Sequence, residues 1–298
     1  MEISHLATEK QNDKTTRIDR MTTLELVQTI NDEDKKVAHA VEKVLADIAK
    51  AIDLGAERFQ RGGRLIYIGA GTSGRLGALD AIELTPTYSV SPTRAFGLLA
   101  GGKEAMFAAV EGAEDSEELA VSDLEAIQLQ EADVLIAIAA SGRTPYTLSA
   151  IHYGNAINAL TISVTCTENN PMSETAQVAI APIVGPEVIT GSTRMKAGTA
   201  QKLVLNMLST GIMVKTGKVY QNLMINVQAT NSKLIERSIH ILMQALSIER
   251  DEAAKLFESA GNKVNVAIVM HEYQLSAEEA QAFLAENDNR IIRENNEK

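Results

Sequence analysis

Residues 64–74 read Arg64-Leu65-Ile66-Tyr67-Ile68-Gly69-Ala70-Gly71-Thr72-Ser73-Gly74. The first five form a short β-rich run, and the glycines behind them turn the chain sharply. Helix-like residues 75–84 follow. A strand, a glycine turn and a helix in that order make the repeating unit of a parallel sheet. The same grammar recurs downstream. Residues 133–139 (DVLIAIA) are almost wholly apolar, as a strand covered on both faces must be. They run into Ser141-Gly142-Arg143-Thr144-Pro145, where the proline suits the first turn of a helix. Residues 160–165 and 178–184 repeat the pattern, and a weaker strand lies near 94–99. Five strands alternating with helices predict an α/β fold, with a five-stranded, mostly parallel sheet flanked by helices.

Outward from this centre the sequence is helical. Residues 22–61 carry Val37, Val41, Val44, Leu45, Ile48 and Ile52 at helical spacing, and Thr22 and Glu25 have the spacing of a capping box. Residues 1–20 read as an extended polar arm. Past Gly191, residues 195–214 and 222–246 are long amphipathic stretches, and 248–286 read as three short helices broken at 261–262 and 273–276. The last twelve residues read as frayed. The expected organisation is an arm, helices and sheet domain over 1–246 and a small three-helix module over 247–298.

Composition narrows the chemistry. The 298 residues carry 28 Lys and Arg against 39 Asp and Glu, a formal charge of −11. Nucleic-acid binding needs a basic footprint, so that class is set aside. One cysteine, Cys166, excludes an intrachain disulfide and fits a reducing, cytoplasmic setting. Cys166 reads as a buried, inert thiol. The polar N-terminus has no apolar signal segment, and no run of about eighteen apolar residues marks a membrane span. The five histidines show no paired-ligand spacing, so no metal is expected.

Gly69, Gly71 and Gly74 satisfy the G-x-G-x-x-G of dinucleotide-binding turns. That reading needs an acid about twenty residues on, to hold a ribose. The chain has Ser91-Pro92-Thr93-Arg94-Ala95-Phe96 there, leaving only Arg94 for a 2′-phosphate. What sets the loop apart is Thr72-Ser73 inside it. Hydroxyls beside free amides at a helix start suit a phosphate monoester. Ser141, Gly142, Arg143 and Thr144 offer the same chemistry at a second strand end. One such turn reads more readily as simple N-capping, but two on equivalent strand ends favour a phosphate site. A third motif, Gly191-Ser192-Thr193-Arg194-Met195-Lys196-Ala197-Gly198-Thr199, opens a long helix. Ser192 and Lys196 there suit an anion, phosphate or carboxylate, or merely a capped helix with solvated cations. Glu83, Glu104, Glu111 and Glu114 lie near these turns. A carboxylate pair suits proton transfers about a sugar ring, but 104–118 also reads as a solvated helix face, and spacing does not choose among these acids.

These residues together resemble the N-acetylmuramic acid 6-phosphate etherase family, built on a sugar isomerase (SIS) domain. The resemblance rests on residues 67–77, Asp80-Ala81-Ile82-Glu83, Glu111-Gly112-Ala113-Glu114-Asp115, 140–146, and 191–199 followed by Gln201-Lys202. Thr8-Glu9-Lys10-Gln11-Asn12, Asn31-Asp32-Glu33-Asp34 and Gly261-Asn262-Lys263-Val264 extend it over nearly the whole chain. Leu84-Thr85 stands where the family often has Cys-Pro, and Gln11 where it often has Arg. The resemblance implies cleavage of the D-lactyl ether at C3 of a phosphosugar without a cofactor. It assigns the proton transfers to Glu83 and Glu114. It also implies a homodimer. A related branch, the glucokinase regulatory protein, binds a sugar phosphate without turning it over and uses two such domains in tandem. This chain has one glycine-turn set, which favours the enzyme over the sensor.

Overall fold

The computed structural model describes residues 8–227 and 231–291. The expectations for arm residues 1–7, residues 228–230 of the amphipathic stretch and tail residues 292–298 lie outside the described residues. Three helices come first: α1 (Thr23–Asp34), α2 (Lys36–Glu42) and α3 (Leu45–Gln60). Thr22 and Glu25 close the capping box over α1. An alternation then follows: β1 (Leu65–Gly69), α4 (Gly71–Tyr88), β2 (Ala95–Leu99), α5 (Glu117–Ala126), β3 (Val134–Ile138), α6 (Pro145–Ala156), β4 (Leu160–Val164), α7 (Pro171–Thr175), β5 (Val178–Ile180) and α8 (Lys196–Lys215). A small hairpin, β6 (Val219–Tyr220) with β7 (Leu223–Met224), precedes α9 (Ser232–Leu246), α10 (Arg250–Ser259), α11 (Val264–Tyr273) and α12 (Ala277–Glu286).

The five long strands form one parallel sheet in the order β2-β1-β3-β4-β5. Every residue of β1, β3 and β4 is buried, which is why those segments are nearly free of polar alternation. On one face Ile66, Ile68, Leu135 and Ala137 pack with Tyr146, Ala150 and Ile151 of α6 and Leu124 of α5. Burial of each such isoleucine is worth about 1.5–3 kcal/mol. Arg64 pairs with buried Asp133 at 2.6 Å and donates to the carbonyls of Ile127 and Gln128, tying together the starts of β1 and β3. The register sets Gly69 opposite Ile138. The turns after β1 and β3 therefore leave the sheet side by side.

Three local readings are corrected. Residues 8–20 are not an extended arm: Asp13–Thr15 and Ile18–Arg20 are single 3-10 turns. They are held in place because Thr15 donates to the Val188 carbonyl at 2.8 Å and Asn12 to that of Pro186 at 3.2 Å. The acidic segment 104–118 is not one helix. Left-handed Gly101, Gly102 and Gly112 confine it to 3-10 turns at Gly102–Met106 and Ala113–Asp115 before α5 begins. The expected helix over 222–246 starts only at Ser232, where Asn231 caps Leu234 N–H.

Contacts divide the chain into two compact units, residues 1–82 with 93–209 and residues 83–92 with 210–298. The first holds the sheet. In the second, Ile239 and Leu242 of α9 share a core with Phe257, Val266, Ile268 and Leu284 of the three C-terminal helices. The apolar face of α9 needs that cover, so the segment from 210 groups with these helices and not with the sheet, as a boundary after 246 would require. Among the described residues no helix is long and apolar enough to cross a membrane.

Candidate active site

The first turn is built by close approach. A Cβ on Gly74 would lie 2.5 Å from the Gly69 carbonyl oxygen, so α4 leaves β1 in backbone contact that only glycine permits. Gly71 supplies the left-handed step, with φ of +52°. Thr72 and Ser73 then lie within the first turn of α4, half-buried. Ser73 does not cap the helix: its hydroxyl donates to Gln201 Oε1 of α8 at 2.9 Å.

The second turn follows β3. Gly142 is left-handed, with φ of +67°, and a Cβ there would meet Asn170 Oδ1 at 2.1 Å. Asn170 is fully buried and donates to Thr165, the Thr167 carbonyl and Ser173, so it does not yield. Ser141 Oγ accepts the Arg143 backbone N–H at 3.3 Å. Thr144 occupies the N-cap position of α6 and makes no side-chain cap bond. The simple capping explanation of these hydroxyls therefore fails at both Ser73 and Thr144. Two donors, Arg143 Nε in the second turn and Gln201 Nε2 on α8, are buried without a hydrogen-bond partner among the described residues.

The third motif is brought to the first but is used differently from either expectation. A Cβ on Gly198 would stand 3.6 Å from Thr72 Cγ2, so the start of α8 packs on the first turn. Its opening amides are already taken: Glu187 accepts from Lys196 N–H at 3.0 Å and Ala197 N–H at 2.9 Å. Burial pushes the Glu187 carboxyl above its ordinary range, against the pull of those two amides. Lys196 is neither solvated nor free, since its ammonium pairs with Glu33 of α1 at 2.7 Å and both side chains are buried. Glu33 also pairs with Lys36. Burial alone would raise the Glu33 carboxyl, but hydrogen bonds and charge from Lys196 and Lys36 outweigh it and hold the pKa at about 2. A cavity of about 550 Å³ beside this pair is lined by Asn12, Lys14, Lys36, Lys43 and Pro186, and by none of the hydroxyl-turn residues. Ser192 is half-buried in the loop before α8.

Of the acids, Glu114 sits exposed on the 3-10 turn that packs against α6, the helix opened by the second hydroxyl turn. Glu83 is exposed on α4. Glu104 and Glu111 are equally exposed, so exposure does not rank the four. Arg94 is unavailable to a nucleotide, because it donates to the carbonyls of Phe59 and Gly63 and stacks 4.3 Å from the Phe59 ring centroid. Cys166 is 1% exposed, and burial pushes its thiol upward, as expected of an inert cysteine.

The sequence reading of the site missed two buried groups. Gln201 anchors Ser73. Asp80 accepts from Tyr67 at 2.7 Å, Asn206 at 2.6 Å and Ser209 at 3.2 Å, locking α4 to β1 and α8. Both stand within the matched motifs, but only the fold gives them partners.

A parallel sheet with paired hydroxyl turns at neighbouring strand ends defines a sugar isomerase-type, or SIS, domain protein. Family models agree: the glucokinase regulatory protein N-terminal SIS domain matches residues 36–155 and the SIS domain matches 110–211. N-acetylmuramic acid 6-phosphate etherase 1 of Enterococcus faecalis is 63% identical, over 98% of this chain and 97% of that one. The N-acetylmuramic acid 6-phosphate etherase of Clostridium beijerinckii is 56% identical, over 98% of this chain and 96% of that one. The chain belongs to the N-acetylmuramic acid 6-phosphate etherase family. Among solved structures it is similar to a phosphoheptose isomerase from Francisella tularensis, at 13% identity and a TM-score of 0.49 over 64% of this chain and 98% of that one.

Proposed function

We propose that this chain is a cytoplasmic carbon–oxygen lyase that converts N-acetylmuramic acid 6-phosphate and water to N-acetylglucosamine 6-phosphate and D-lactate. The observation that carries the reading is the pair of adjacent turns whose hydroxyls, Ser73 and Thr144, are not spent on capping. In it, the amides and hydroxyls of Thr72, Ser73, Ser141, Gly142 and Thr144 hold the 6-phosphate, with Gly71 and Gly74 shaping the cradle and Arg143 at its rim. Lys196 supports the site through its pair with Glu33, and Ser192 stands in the loop ahead of it.

The chemistry follows from the substrate. In the open-chain sugar the aldehyde makes the C2 proton acidic. Glu83 removes that proton, the electron pair forms the C2–C3 double bond, and the C3–O bond breaks. Glu114 gives its proton to the departing lactate oxygen. The carboxylate it leaves takes a proton from water, which adds at C3, and Glu83 returns its proton to C2. Each such group is typically worth about 10²–10⁴-fold in rate.

We read the active form as a homodimer, as the family resemblance implies, with composite sites in which Glu83 of one protomer serves the phosphate turns of the other.

In deuterated water, Glu114→Gln should still exchange the C2 proton while lactate release falls at least a hundredfold. Exchange retained by Glu83→Gln and lost by Glu114→Gln would reverse the two roles, and loss of neither activity would remove both residues from the reaction. A phosphosugar sensor would release no lactate in any form.

A further inference from the structure

Ser73 carries one proton, and its hydroxyl lies in hydrogen-bond reach of the Gln201 side-chain amide. The hydroxyl is paired with Gln201 Oε1 at 2.9 Å. A phosphate on the first turn needs that proton, because the alternative presents the hydroxyl lone pairs to an anion. Gln201 is 1% exposed, and its Nε2 is a buried donor without a hydrogen-bond partner among the described residues. Buried unpaired N–H groups are rare and costly, more so than an under-satisfied carbonyl. Both problems have one solution. Turning the amide by half a revolution brings Nε2 to the Ser73 oxygen, gives the orphan donor an acceptor, and releases the hydroxyl proton toward the cradle.

We infer that Gln201 is a positioning residue, whose buried amide donates to the Ser73 oxygen and so holds the hydroxyl proton toward an anion on the first turn. The inference rests on the reading of this turn as the phosphate site. Gln201 itself touches no substrate. It acts through Ser73, from a face of α8 that the first unit buries. Asp80 fixes the same pair of helices through Asn206 and Ser209, so the amide can turn without either helix moving.

The test is a double-mutant cycle on the affinity for N-acetylglucosamine 6-phosphate, measured by calorimetry on the full chain. N-acetylglucosamine without the phosphate serves as the control ligand. Ser73→Ala and Gln201→Met should each weaken binding of the phosphorylated sugar about tenfold, the size of one hydrogen bond to a charged group. Gln201→Met should add nothing in the Ser73→Ala background. Should Gln201→Met fail to fold, the unmodified chain still decides. The Gln201 side-chain N–H NMR signals should move downfield when the phosphorylated sugar is added, and stay put in Ser73→Ala. Unchanged affinity in Ser73→Ala overturns the phosphate-turn reading and this inference with it. Weakening by Ser73→Ala with none by Gln201→Met, additive losses, or a silent Gln201 amide overturn this inference alone.

Discussion

Lys196 marks the limit of sequence reading for a single residue. Its neighbours, a run of small and hydroxyl residues at a helix start, suit a ligand anion and a capped helix with solvated cations equally well. The anion it meets is Glu33, 163 residues earlier in the chain. No spacing rule connects them, because the partner is chosen by how α1 lies beside the start of α8. Removing one partner of a buried pair leaves the other charge uncompensated, at roughly 3–5 kcal/mol. Glu33→Gln should therefore lower stability by about 3 kcal/mol at pH 7, measured by urea unfolding. The sign with pH follows from the depressed carboxyl, at about 2 in the folded chain against an ordinary 4.5. Its contribution is present above pH 4.5 and is lost as the pH falls toward 2. The gap between the two proteins should narrow over that window, and a gap independent of pH would mean the pair does not act as an ion pair. The hydroxyl residues were more legible. Thr72, Ser73, Ser141 and Thr144 were singled out from the sequence, and the structure sets their two turns side by side.

At the scale of elements, the strands were legible because burial on both faces leaves no polar residue in β3 and almost none in β1. The strand–turn–helix unit at 65–88 was legible because its glycines are forced. Two glycines there differ in a way that makes a graded test. A Cβ on Gly71 meets nothing within 4 Å, so Gly71→Ala incurs only the left-handed φ, about 1–2 kcal/mol. A Cβ on Gly74 strikes the Gly69 backbone at 2.5 Å, so Gly74→Ala carries no left-handed penalty but must move α4 off β1. Gly74→Ala should be the more destabilising by thermal melting, and should abolish phosphosugar binding where Gly71→Ala only weakens it. Equal effects would mean that the close approach is not structural. The acidic segment at 102–115 and the β6–β7 hairpin were not legible. Left-handed glycines break the first into single turns, and two-residue strands are too short to carry a period of two.

For the whole molecule, the parallel sheet and its site-bearing edge were foreseeable, while the grouping of residues 210–246 with the C-terminal helices depends on which apolar faces meet. The dimer is the claim that reaches furthest. If Glu83 acts on the neighbouring protomer's turns, two inactive proteins should rescue each other. Ser73→Ala/Ser141→Ala mixed with Glu83→Gln, dissociated and reassociated, gives mixed dimers holding one intact site. Random pairing should restore about a quarter of normal activity, and no rescue would place Glu83 and the turns of one protomer in the same site. The central claim, elimination of lactate followed by addition of water at C3, has a more direct test. N-acetylmuramic acid 6-phosphate is turned over in deuterated water enriched in oxygen-18, and both products are examined by NMR and mass spectrometry. Elimination and re-addition put oxygen-18 at C3 and deuterium at C2 of N-acetylglucosamine 6-phosphate and leave the ether-derived hydroxyl of D-lactate unlabelled, because the bond broken is between C3 and oxygen and C2 loses and regains its proton. Oxygen-18 in the lactate hydroxyl, hydrogen retained at C2, or no lactate at all would contradict that course.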